Sequence, residues 1–254
     1  MLSSDKMNIS ALVGDRCAHP LLLGLANIHM LTRLKLSSDA FLLIALLPIP
    51  KFIHKNKRMH GMLTNHLLHE CLDITLELLK QAACLSIMMN DPLGNLRLCF
   101  TPLASFMVDT PEVCMLTGVG GKTSAVTTAM YKHFGDNFQH PPRMKMFTLQ
   151  QLENIDVDPD NLEQYFKAAQ EYCLNGVPRP FYHNWAFSDP SQFFTPEALH
   201  QWHKFLWDHD IKWCINIVGA AELDFHFSVL QPSIGYSHFG EGISNLMKVT
   251  GRTH

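Results

Sequence analysis

The sequence predicts an α/β fold followed by a mainly helical region, and three observations carry that reading. Short apolar or alternating segments bounded by Gly, Pro, Asn and Asp recur through the first 116 residues. One long amphipathic helix interrupts them. After Gly118 the apolar runs give way to helix starts and loops. Strands alternating with a helix indicate α/β architecture, and 254 residues suffice for one large core or two smaller ones.

Met7 to Val13 alternates apolar and polar at its start, Gly14-Asp15-Arg16 makes a turn, and His19 to Ala26 returns as a second strand. This predicts a hairpin with Asp5 just before its first strand. Phe41 to Leu47 is a further apolar strand closed by Pro48-Ile49-Pro50, and Lys51 to Arg58 is a basic, solvated run. Met59 to about Ala83 is the clearest long helix, with Leu63, Leu67, Cys71, Ile74, Leu78 and Ala82 as its apolar stripe. Leu85 to Met89 and Leu96 to Phe100 read as strands around the turn Asp91-Pro92-Leu93-Gly94-Asn95.

Leu103 to Val108 then reads as a short buried strand ended by Asp109. Pro111 suits the first position of the helix that follows, and either Asp109 or Thr110 can cap it. A carboxylate thus sits where a buried strand gives way to a helix, the kind of place where open α/β sheets hold ligands. A plain N-cap is the simpler role for Asp109.

Gly118-Val-Gly120-Gly121-Lys122-Thr123-Ser124 invites comparison with a phosphate-binding loop. G-x-x-x-x-G-K-[ST] requires glycine at position 116, which is Leu116, so a turn carrying one exposed lysine is preferred. Beyond it, Phe134 to Arg143 is a loop, Asp158-Pro159-Asp160 opens a helix to about Cys173, and residues 176–195 are loop-rich and aromatic. Thr195-Pro196 starts a helix to His209, Ile211 to Ala221 continues it, and Glu241 to Val249 is a short last helix.

Composition narrows the function classes. Hydrophobic residues make up 47% and charged ones 17%, a globular balance. The net charge of −3 is unlike a free-standing DNA-binding module. Seven scattered Cys without a C-x-x-C pair point to reduced thiols in an intracellular setting, nuclear or cytoplasmic. The first ten residues are polar and unlike a signal peptide, and the longest apolar run, Phe41 to Ile49, is too short to span a bilayer.

Two constellations could carry chemistry. Asp5 and Asp109, each at a strand junction, with Glu197 on a helix as a third carboxylate, would bind hard divalent cations if they converge. His200, His203 and His209 near Asp208 lack the glutamate of H-E-x-x-H, and packing against Trp202 and Trp207 is the preferred reading.

At Ser3-Ser4-Asp5-Lys6, Met89 to Asn95, Val108-Asp109-Thr110-Pro111-Glu112, Gly121 to Ser124, Phe134-Gly135-Asp136, Thr195 to His200, Trp207 to Cys214, Phe227 to Pro232 and Glu241 to Ser244, the chain resembles the Plavaka-type transposases of fungi. These are relatives of the CACTA-type DNA transposons, and the likeness covers nearly the whole chain. The resemblance implies a ribonuclease H-like mixed-sheet core over residues 1–118, and a mainly helical insertion or continuation over 119–254. It also implies three acids holding Mg²⁺ or Mn²⁺ for cleavage and joining of DNA at transposon ends. Asp5 corresponds to the first acid, Asp109 to the second, and Glu197 or Glu241 to the third. Lys6, Lys122 and Arg143 are candidate phosphate contacts.

The chain departs from the family pattern in starting almost on the first acid, so that the interior strand carrying Asp5 is nearly missing and the core incomplete. It also lacks the cysteine pairs that follow the second acid in CACTA-type enzymes. The expectation is a remnant or fragment of a DDE/D-type cut-and-paste transposase, inactive as it stands, with an oligomer left open. The alternative is a non-catalytic, domesticated DNA- or protein-binding module.

Overall fold

The computed structural model describes residues 1–9, 17–53, 57–196, 206–235 and 238–246. In chain order the first part contains β1 (Leu2–Ser4), β2 (Met7–Asn8), β3 (Cys17–Ala18), β4 (Pro20–Gly24), the short α1 (Met30–Arg33) and β5 (Phe41–Leu46). It continues with α2 (Lys57–Thr75), α3 (Glu77–Leu85), β6 (Ile87–Asn90), β7 (Leu96–Cys99), β8 (Phe106–Val108) and α4 (Thr110–Thr117). Then come α5 (Lys145–Glu153), α6 (Leu162–Glu171), α7 (Pro190–Phe193) and β9 (Phe194–Pro196).

Five strands form one mixed sheet in the order β5-β4-β1-β8-β9. β1 pairs antiparallel with β4 and parallel with β8. This corrects one expectation and extends another. Asp5 precedes β2, whose antiparallel pairing with β3 gives the expected hairpin, but it also follows β1; that interior strand, although only three residues long, is present and bonded on both sides. Leu2 N–H donates to Ser105 O at 2.7 Å and Gly24 N–H to Met1 O at 2.9 Å, so the backbone groups flanking β1 are matched. Leu2 and Ser4 are both buried, which is the period-2 signature of a strand.

The core gathers Leu2, Leu21, Phe106 and Val108 from the sheet, Leu68, Leu72 and Leu76 from α2 and its end, and Val113 and Leu116 from α4. The stripe expected along the long helix is rotated: Met62, Leu68, Leu72, Leu76 and Ala83 are buried, whereas of the expected stripe Ala82 is buried but Ile74 and Leu78 are more than two-thirds exposed. Two adjacent faces of this helix are apolar, and packing selects the one carrying His69. The helix also breaks at Leu76, just after the β-branched pair Ile74-Thr75.

Residues 176–195, expected to be loop-rich and aromatic, include four of the largest fully buried side chains among the described residues. Phe181, Tyr182, Trp185 and Phe193 are at most 1% exposed. Phe106 meets Phe181 edge-on and stacks on Phe194, with ring centroids 6.1 and 5.8 Å apart. β9, which the sequence reading assigned to a helix start, adds the fifth strand. Residues Met1–Thr195 form one compact unit and Pro196–His254 another, so the chain divides at 195/196, whereas the change of pattern lies at 118.

The second unit holds a π-helical turn (Leu206–Ile211) running into α8 (Lys212–Val218), then α9 (Ala220–Ser228). Gly219, at φ +97°, separates the two helices where one was expected. Residues 241–246 are turns and not the start of a helix; Asp224 accepts from Ile243 N–H and Ser244 N–H, both at 2.8 Å. Among the described residues no helix is long and apolar enough to cross a membrane.

Candidate acid-pair site

The site follows from the pairing of two short strands. β1 and β8 run parallel, with Leu2 opposite Phe106 and Ser3 opposite Met107. Continuing that register sets Ser4 beside Val108 and Asp5 beside Asp109, each aspartate one residue past the carboxyl end of its strand. Neighbouring strands lie about 4.8 Å apart. Residues separated by 104 positions thus follow adjacent parallel strands, at the end of a sheet where ligands are commonly held.

Asp109 caps α4: its Oδ1 accepts from Glu112 N–H at 2.8 Å. Pro111 takes the second helical position, one later than expected. Capping and site roles are compatible, because a carboxylate has two oxygens and several lone pairs. Asp5 is exposed, with Lys6 beside it.

Beneath the pair lies a cluster that sequence reading missed. Ser4 Oγ donates to Glu112 Oε1 at 2.5 Å, and His19 Nε2 donates to the same oxygen at 3.0 Å. All three residues are under 8% exposed. The available signal was Asp109-Thr-Pro-Glu112, spaced like a capping box. Glu112 instead turns inward to β1 and to the residue before β4. Burial, with the Asp109 charge behind it, raises the pKa of the Cys114 thiol above its ordinary value.

The remaining candidates fall elsewhere. Glu197, His200 and His203 lie outside the described residues; in sequence Glu197 follows Pro196, the last residue of β9, which neighbours β8. Glu241 is exposed in a turn of the second unit. Among the described residues no three His, Cys, Asp or Glu side chains form a group able to hold a metal. Arg143 is unavailable to phosphate: it is buried, and its Nε donates to Ser124 O and Thr127 O at 3.1 and 3.2 Å. Lys122 is exposed, its Nζ 5.6 Å from the Tyr131 ring centroid. Gly118 ends α4 in the left-handed region (φ +82°), and turns rather than a helix follow it. No helix N-terminus is therefore offered to phosphate there.

A family model described as Plavaka transposase matches residues 1–214. No curated protein and no solved structure matches the chain.

Proposed function

The chain belongs to the Plavaka transposase family, and we propose that its α/β unit is a ribonuclease H-like core in which Asp5 and Asp109 hold a divalent cation for DNA strand cleavage and joining. The observation that carries this reading is the β1–β8 register, whose continuation past the strand ends would align the two acids. A mixed five-stranded sheet with the first strand inside it supports the ribonuclease H-like assignment.

The donor set suits a hard cation, Mg²⁺ or Mn²⁺, because carboxylate oxygens are its preferred ligands. Such a cation, once bound, activates water and offsets charge developing at phosphorus. The protein's share is to orient the carboxylates. Asp109 is held by its bond from Glu112 N–H, and Asp5 is delivered by a strand bonded on both sides. Lys6 and Lys122, both exposed, are sequence-independent contacts for the DNA backbone. Glu197 is the proposed third acid and Glu241 the alternative.

Nicking of supercoiled DNA in Mg²⁺ or Mn²⁺ is the test, with wild type, Asp5→Ala and Asp109→Ala compared. Metal-dependent nicking by wild type, lost in both variants, is the expected result. Equal signals from all three mean that the acids do nothing here, and leave the non-catalytic DNA- or protein-binding module, or an inactive remnant, as the reading.

A further inference from the structure

We infer that Glu112 is a positioning residue for the acid pair, locking the exits of β1 and β8 in register through Ser4 and His19. The inference rests on the acid-pair reading and deepens it. Three bonds converge on this one residue. Its backbone N–H holds the Asp109 carboxylate, while its side chain takes the Ser4 hydroxyl at 2.5 Å and His19 Nε2 at 3.0 Å. Ser4 immediately precedes Asp5, and His19 immediately precedes β4, the other neighbour of β1. One side chain therefore ties α4 to β1 and to the residue that leads into β4, beside the ends of the strands that precede both acids.

Two features argue that this is more than a satisfied core polar group. A buried carboxylate is costly unless every lone pair it needs is matched, and an apolar residue would fill the same space without that cost. Its partners also come from the two segments that set the Asp5 backbone, instead of from within its own helix. With strands of only three residues, ladder bonds alone define the exit of β1 weakly, and the buried link supplies the missing constraint. Residues that orient ligand carboxylates commonly govern metal affinity without touching the metal.

The experiment is Mn²⁺ binding to the full chain, followed by electron paramagnetic resonance of free Mn²⁺, with thermal unfolding recorded in the absence of metal. Glu112→Ala is expected to weaken Mn²⁺ binding about 10- to 100-fold. Glu112→Gln keeps a carbonyl oxygen for both donors and is expected to recover most of the affinity. Ser4→Ala, a smaller change that guards against a Glu112→Ala chain that does not fold, is expected to weaken binding several-fold.

Affinity unchanged in Ser4→Ala and Glu112→Ala while melting falls would make the cluster merely structural and overturn the inference. Folded Glu112→Gln binding as poorly as Glu112→Ala would make Glu112 a ligand itself, which also overturns it. A wild-type chain that binds Mn²⁺ no better than Asp5→Ala removes the acid-pair reading, and this inference with it. That result is distinct from the other two because it appears before Glu112 is touched.

Discussion

Two aspartates of the first unit end short strands, and their surroundings could hardly differ more. Asp91 stands at the turn of the β6–β7 hairpin, where every residue of β6 is exposed and the two strands pair with each other outside the main sheet. Its Oδ1 accepts from Leu93 N–H and Asn95 N–H, and its Oδ2 from Asn95 Nδ2 and Arg97 Nε, at 2.8–3.1 Å. Those bonds bring its pKa down to about 2. Every donor lies within six residues of it, so Asp91 folds its own turn. Asp109 takes one local bond and is otherwise set by strands and a carboxylate cluster assembled across more than 100 residues. The contrast separates a carboxylate occupied by making structure from one that structure presents.

The first way to sharpen the comparison is through the core that supports the Asp109 end. Phe181→Ala should cost about 3–5 kcal/mol in denaturant unfolding, whereas Leu98→Ala on the exposed hairpin should stay within about 0.5 kcal/mol. Similar losses from both would mean the hairpin is packed and the contrast false.

A second comes from His69, which joins α2 to α4 and to the aromatic segment. Its Nδ1 accepts from Phe181 N–H at 3.0 Å, and its Nε2 donates to Met115 O at 3.1 Å. Burial lowers its pKa to about 4, so the folded chain resists the proton that the unfolded chain takes below about 6.5. Its contribution is complete above pH 6.5 and is lost as pH falls toward 4, by about 3 kcal/mol. Unfolding measured across that window should show a slope that His69→Gln flattens.

The acids themselves come third. Asp109→Ala should cost about 1 kcal/mol as a lost cap, while abolishing metal-dependent nicking. Asp91→Ala should leave global unfolding and nicking nearly unchanged, and speed amide exchange only within residues 87–99. Acid should act on Asp91 later than on ordinary carboxylates. Because its folded pKa lies below the unfolded value, the bonds of its turn persist as pH falls past 4 and are lost through about 2. Exchange data at pH 3 still showing a protected turn would bear this out.

What could be read directly from the residues was the locally coded structure. The turn at Asp91-Pro92-Leu93-Gly94-Asn95 and the cap at Asp109 were legible because donor, acceptor and backbone preference all lie within a few residues, and the strand at Phe41–Leu46 because it is a short apolar run closed by prolines. Likewise the nomination of Asp5 and Asp109 needed only their places beside strands and the resemblance. The three-residue β1 and β9 were misread, since strands that short carry almost no periodicity. Glu112 was given no role from the sequence, because its partners are 93 and 108 positions away.

By itself the sequence determined an α/β pattern, a capped helix after a buried strand, and two acids worth testing, since each of these rests on bonds between near neighbours. Only the tertiary structure decided which helix face is buried, that the aromatic segment 181–194 is core, and that the two acids follow adjacent parallel strands tied to a buried carboxylate. Those outcomes depend on which distant segments pair, and pairing is settled by the summed burial of apolar surface and the matching of backbone groups across the whole chain.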